Sequence, residues 1–164
     1  NLGRSLLTIR RILENKENMS HMNKQLDVLK EQVYILTNMT VENLEDLYQN
    51  TGKHARELGI EIHLEGEGPK NSTYRLLLDR VIRECVTNCA RHAHGSEVNV
   101  SIEEDPEAYN IRITNNGELP KPKAREGGGL SSLRRALESE GCTMVTVFEP
   151  AFCLRLRMPK RQSE

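Results

Sequence analysis

Apolar positions in the first third of the chain recur at helical intervals. Leu2, Leu6, Ile9 and Leu13 are spaced four, three and four residues apart; Leu26, Leu29, Val33 and Leu36 are spaced three, four and three. Both are a/d-type stripes, narrow faces that pack at a small angle in a bundle. The polar stretch 14–24 between them predicts a turn. Thr40 is placed to cap a further helix over 41–58, which Gly52 weakens and Gly59 stops. One small domain does not cover two such stripes. The pattern therefore predicts a helical hairpin that pairs with a second copy as a four-helix bundle. The plainer alternative is two helices lying on their own domain.

From Ile60 the period changes. Ile60, Ile62 and Leu64 alternate, predicting a short strand, and Gly66, Gly68 and Pro69 follow as a loop. Asn71 or Ser72 caps a helix running to about Ala93, with Tyr74, Leu78, Val81, Cys85 and Cys89 on its core face. Val98, Val100 and Ile102 alternate, Asp105-Pro106 turns, and Tyr109, Ile111 and Ile113 alternate again, predicting a hairpin. After a Gly-, Pro- and Lys-rich loop over 115–129, a helix is expected over 130–140. A second hairpin is expected from 143–148 and from Phe152, Leu154, Leu156 and Met158. The second part thus reads as α+β, a sheet with its helices on one face.

Composition fits this division. A hydrophobic fraction of 37% with 4% aromatics and no Trp is lean for one globular unit. A formal net charge of −1 gives no reason to expect a nucleic-acid partner. No apolar run is long enough to span a membrane. Cys85, Cys89, Cys142 and Cys153 form no regular framework, so a reducing, cytoplasmic setting is expected. The chain opens at Asn1 inside a helical pattern, without Met or a signal peptide, and is expected to be part of a longer protein.

The helix over 74–93 has a second face. Arg80, Glu84, Asn88 and Arg91 follow one another at steps of four, four and three. The amide oxygen of Asn88 is a hard ligand suited to Mg²⁺ carried by a nucleotide, and Arg91 offers a planar fork to phosphate oxygens. Alone, this face reads equally as a solvated surface with a weak Arg80–Glu84 pair. The glycine-rich loop changes that weighting. Asn115-Asn116-Gly117 ends a strand, and Gly127-Gly128-Gly129-Leu130 opens a helix whose free N–H groups suit an anion. Between them Lys121, Lys123 and Arg125 stand where a lid would close over phosphates.

With these motifs in order, the sequence resembles the ATP-binding domain of sensor histidine kinases. That domain belongs to the ATPase superfamily shared with gyrase, the ninety-kilodalton heat-shock chaperone and MutL-type repair proteins. The run Arg83-Glu84-Cys85-Val86-Thr87-Asn88-Cys89-Ala90-Arg91-His92-Ala93 resembles the family's N box. The stretch 113–117 resembles its first glycine box, and Gly127-Gly128-Gly129-Leu130-Ser131-Ser132-Leu133 its second. The resemblance covers about 60–158 and implies a Bergerat-type α/β sandwich, with ATP and Mg²⁺ as cofactors. By it, Asn88 ligates Mg²⁺, Arg91 contacts phosphate, His92 lines the pocket or caps its helix, and Asn115 meets adenine. Gly117, Gly127, Gly128, Gly129 and Leu130 then shape the phosphate loop, and Glu84 joins Asn88 as a catalytic candidate. Two positions depart from the family pattern Asp-x-Gly-x-Gly, with Asn115 at the Asp and Leu119 at the second Gly. An amide accepts from the adenine amino group without charge assistance.

The opening Asn1-Leu2-Gly3-Arg4-Ser5-Leu6-Leu7 resembles the stretch after the phosphoacceptor in kinases whose motif reads His-Asp-x-Leu-Gly. That alignment sets the His and Asp immediately before Asn1. The resemblance implies a truncated dimerisation and phosphotransfer segment over 1–58 and an ATP-binding domain over 59–164. It implies a homodimer, a response-regulator partner and a parent that is cytoplasmic here and membrane-anchored elsewhere. The alternatives are a dimeric module of this fold that no longer binds ATP, and an anti-sigma-factor-type serine kinase, which lacks the hairpin. A zinc site from Cys85, Cys89, His92 and His94 is disfavoured, because both cysteines belong to the core stripe.

Overall fold

The structure, a computed structural model, describes residues 2–38, 45–119 and 128–161. The elements are α1 (Leu2–Asn38), α2 (Glu45–Glu57), β1 (Glu61–Glu65), α3 (Ser72–Arg91), β2 (Glu97–Glu104) and β3 (Ala108–Asn115). They continue with α4 (Gly128–Ser139), β4 (Thr143–Val147) and β5 (Cys153–Pro159).

The first third corrects the sequence expectation. There is no turn over 14–24, because α1 runs through it unbroken. The stretch holds neither Pro nor Gly, and polarity alone does not break a helix. Pairs one turn apart support it on the surface, such as Arg10 Nε on Glu14 Oε1 at 2.9 Å. Met19 and Met22 carry the second stripe back across the polar run, so 19, 22, 26 and 29 keep the three-four rhythm. Both stripes therefore sit on one helix and are not two arms of a hairpin. The expected cap at Thr40 lies outside the described residues.

The second part follows the sequence closely. Asn71 caps α3, its Oδ1 accepting the Tyr74 N–H at 3.0 Å. The stripe Tyr74, Leu78, Val81, Cys85 and Cys89 is buried, joined by Leu77, Ile82 and Val86. The five strands form one sheet in the order β1-β2-β3-β5-β4. β1 runs parallel to β2, and the other pairings are antiparallel. Period two divides the strands into faces: Val98, Val100, Ile111, Ile113, Leu154 and Leu156 turn inward, while Asn99, Arg112, Arg155 and Arg157 turn out. α3 and α4 pack on the inward face, and α1 lies against α4 and α3. α2 docks on α3 and β1. Its Ala55 joins the core, and Thr51 donates to the buried Asp79 at 2.6 Å.

Candidate functional site

α3 positions the first group of candidates. The caps and the buried stripe fix its rotation, so Glu84 and Asn88 fall on a half-buried flank and Arg91 on the exposed end. Arg80 pairs with Glu84 at 3.5 Å. His92 is the C-cap of α3; its backbone N–H donates to the Asn88 carbonyl at 2.9 Å, and its side chain is exposed. Among the described residues the Asn88 side chain has no hydrogen-bond partner.

The second glycine motif meets the first turn of this flank. Gly128 and Gly129 open α4, and Leu130 is buried in the core, anchoring the helix start. A Cβ at Gly129 would stand 2.8 Å from Glu84 Cδ, so only a glycine leaves the Glu84 carboxylate its place beside the α4 N-terminus. The partial positive charge of that terminus faces a carboxylate. Thus α3 and the helix opened by Gly128-Gly129 are in contact.

The first glycine motif is stitched to the other end of α3. Glu118 N–H donates to the Ala93 carbonyl at 2.7 Å. A Cβ at Gly117 would lie 2.6 Å from Ala93 Cβ, so glycine is required by close approach. Asn115 Oδ1 accepts the Gly117 N–H at 2.9 Å, turning the chain at the end of β3. From Glu84 to Arg91 is about 10 Å along the helix, with Asn88 between. Gly127, Lys121, Lys123 and Arg125 lie outside the described residues.

Two residues escaped the sequence reading. Asn116 Oδ1 accepts both Ser96 N–H and Glu97 N–H at 2.9 Å, and its Nδ2 donates to Ser96 Oγ at 3.0 Å. This latch holds the end of β3 against the start of β2. Gly95 sits beneath it, where a Cβ would stand 2.6 Å from Cys89 Sγ and 2.9 Å from Gly117 N. Asn116 stands next to Gly117 in the sequence and Gly95 directly after the stretch 83–94, but no local pattern pairs the two.

The donor chemistry fits a nucleotide-borne Mg²⁺: Asn88 offers a hard amide oxygen with no competing partner among the described residues, and Glu84 lies one turn away. A zinc site does not fit. Cys85 and Cys89 are buried, burial pushes both thiols up, and His92 and His94 are exposed.

The profile of histidine kinase-, DNA gyrase B- and HSP90-like ATPases matches residues 73–157. No curated protein sequence matches the chain. Among solved structures, histidine kinase AdeS of Acinetobacter baumannii superposes with a TM-score of 0.55 at 14% identity, over 92% of this chain and 83% of that one. The histidine kinase domain of the blue-light activated kinase EL346 of Erythrobacter litoralis gives 0.61 at 10% identity, over 87% and 82%. The ATP-binding domain of PrrB from Mycobacterium tuberculosis gives 0.54 at 18% identity, over 71% and 93%. At these identities the superpositions speak for the fold. The family assignment rests on the profile, which takes in α3 from its second residue, β2, β3, α4, β4 and most of β5: this chain belongs to the histidine kinase-, DNA gyrase B- and HSP90-like ATPases.

Proposed function

We propose that the chain is the catalytic core of a sensor histidine kinase of a two-component system. In this reading 59–164 binds Mg·ATP, and 1–58 is the dimerisation and phosphotransfer segment. The observation that carries it is the convergence on α3 of Glu84 beside Gly129, Asn88 without a partner among the described residues, and Ala93 beside Gly117. The γ-phosphoryl group passes to a histidine nitrogen as the bond to the leaving ADP oxygen breaks, and from there to a response regulator. The histidine is the one that the His-Asp-x-Leu-Gly alignment sets before Asn1. Such transfer needs mainly positioning and charge neutralisation.

Each residue then has a task. Asn88 holds the Mg²⁺ that, when bound, offsets phosphate charge. Arg91 and the lid bases Lys121, Lys123 and Arg125 neutralise the remaining oxygens, and Gly127 and Gly129 let the backbone approach them. Glu84 orients a water near the metal, and the base is the acidic residue that the alignment sets beside the phosphoacceptor histidine. The exposed apolar residues of α1, Leu6, Ile9, Leu13, Leu26 and Leu29 among them, support a homodimer through this helix, because water does not favour so long an open stripe. No helix of the described residues is long and apolar enough to cross a membrane, and we place this portion in the cytoplasm.

One observation favours a second reading. Asn115 already gives its oxygen to Gly117. That weakens its use for adenine and supports a dimeric module of this fold without ATP binding. Calorimetric titration with ATP and Mg²⁺ separates the two. Saturable, Mg²⁺-dependent binding that Asn88→Ala abolishes while circular dichroism stays unchanged is the expected result. No saturation at millimolar ATP would leave the non-catalytic module standing.

A further inference from the structure

The sheet has a face that no helix covers. Four strands bring one row of side chains across it, because Ser101, Arg112, Arg155 and Val145 are register partners from β2 through β3 and β5 to β4. Arg157 stands in the next row, partnered by Asn110. These residues line an open groove of ≈ 560 Å³.

The charge of its central row is uncompensated. Arg112 and Arg155 are directly opposite on adjacent strands, both exposed, and like charges in that relation repel. Among the described residues neither has an ion-pair partner. Arg157 reaches Glu107 at 3.7 Å, but that carboxylate is 84% exposed and readily exchanged. Glu103 is the one acid in the groove lining, in the row of Asn110 and Arg157. A fold that sets two guanidiniums side by side without a counter-charge has left room for one from outside.

We propose that this open face docks an acidic, extended segment of a partner protein. Arg155 and Arg157 are two residues apart on one strand, about 7 Å, which is the repeat of alternate side chains in an extended peptide. Carboxylates at every second position would meet Arg157 and then the Arg112–Arg155 pair, each able to take a carboxylate through a two-pronged fork. Ser101, in the row of the arginine pair, adds a hydroxyl to the lining, while the Asn110 amide already donates to Asp105 at 2.7 Å. The groove lining contains no aromatic side chain, so it lacks the stacking platform that single-stranded nucleic acid uses. The proposal is independent of nucleotide binding, since α3 lies on the opposite face of the sheet.

The test is fluorescence polarisation with a labelled peptide of alternating Glu and Ser, at about 50 mM salt, where charge pairing is little screened. The full chain is expected to bind it saturably. Arg112→Gln with Arg155→Gln should weaken binding by about tenfold, whereas Arg135→Gln on the exposed side of α4 should not. The double variant should also keep or raise the thermal midpoint in low salt, because it removes a repulsion. Equal peptide binding by the double variant, or no saturation with the wild type, overturns the proposal. Tighter binding of pyrophosphate than of the peptide overturns the partner class in favour of a small anion. A lowered midpoint overturns the premise of strain between the two guanidiniums.

Discussion

Asn115 shows how one atom sets the terms of recognition. Its oxygen accepts the Gly117 N–H, which leaves the amide NH₂ as the group offered outward. An aspartate there would keep the bond to Gly117 with one oxygen and present the second as a charged acceptor. In the proposed site adenine offers an amino donor, so Asn115→Asp should tighten ATP binding by about tenfold. Calorimetry checks this, and unchanged or weaker binding would show that position 115 does not face the base. Asp79 is a second case. Burial pushes its carboxyl up to about 6, against the opposing Thr51 hydrogen bond and the nearby Arg83 and Arg80. The folded state thus holds the proton more tightly than the unfolded chain does. Stability from this group is complete below about pH 4 and is lost as the pH rises through about 6. Asp79→Asn keeps an acceptor for Thr51 without the charge. It should be more stable than the wild type above pH 6, by roughly 3 kcal/mol at most, with the gap closing near pH 4. Thermal melts of both proteins across that window measure it.

At the scale of elements, α1 carries the clearest consequence. Met19, Met22, Leu26 and Leu29 are all at least 47% exposed, and they continue one seam along a helix that also touches α4 and α3. Under the proposed dimer, Leu26→Lys with Leu29→Lys should convert the protein to a monomer by light scattering while the ATPase domain melts unchanged. A persistent dimer would place the interface elsewhere. The sequence told much about these elements, unevenly. The stripe of α3, the cap at Asn71 and both hairpins follow from local periods of 3.6 and two, which neighbouring residues settle among themselves. The continuity of α1 was hidden because a polar run resembles a turn when only hydrophobicity is counted, although no Gly or Pro breaks it. The motifs named Glu84, Asn88 and Gly129. The Asn116 latch was illegible because its partners, Ser96 and Glu97, lie some twenty residues earlier. Contacts of that separation depend on register, which no local pattern states.

Seen whole, the molecule puts its two surfaces of interest on opposite sides of one sheet. The covered side supports α3, whose flank gathers the nucleotide candidates, and α4, whose first turn meets Glu84. The open side shows the arginine rows. Near-neutral net charge therefore conceals a local imbalance, with Arg112 on β3 and Arg155 on β5 side by side and, among the described residues, without an ion-pair partner. The topology also sets an order of assembly. β2 with β3 and β4 with β5 are hairpins between neighbours in the chain, whereas β3 with β5 and β1 with β2 pair strands far apart in it, β1 only after the connection 66–96 has folded back through α3. Such non-local closure is slow, and β1 is bonded on one side only. Its amides should be the first of the sheet to exchange with deuterium, at an opening free energy below that of global unfolding. When β1 opens, α2 loses that strand but stays on α3 through Thr51 on Asp79, Ala55 and their neighbours, so an edge strand can leave while the helical segment keeps its seat.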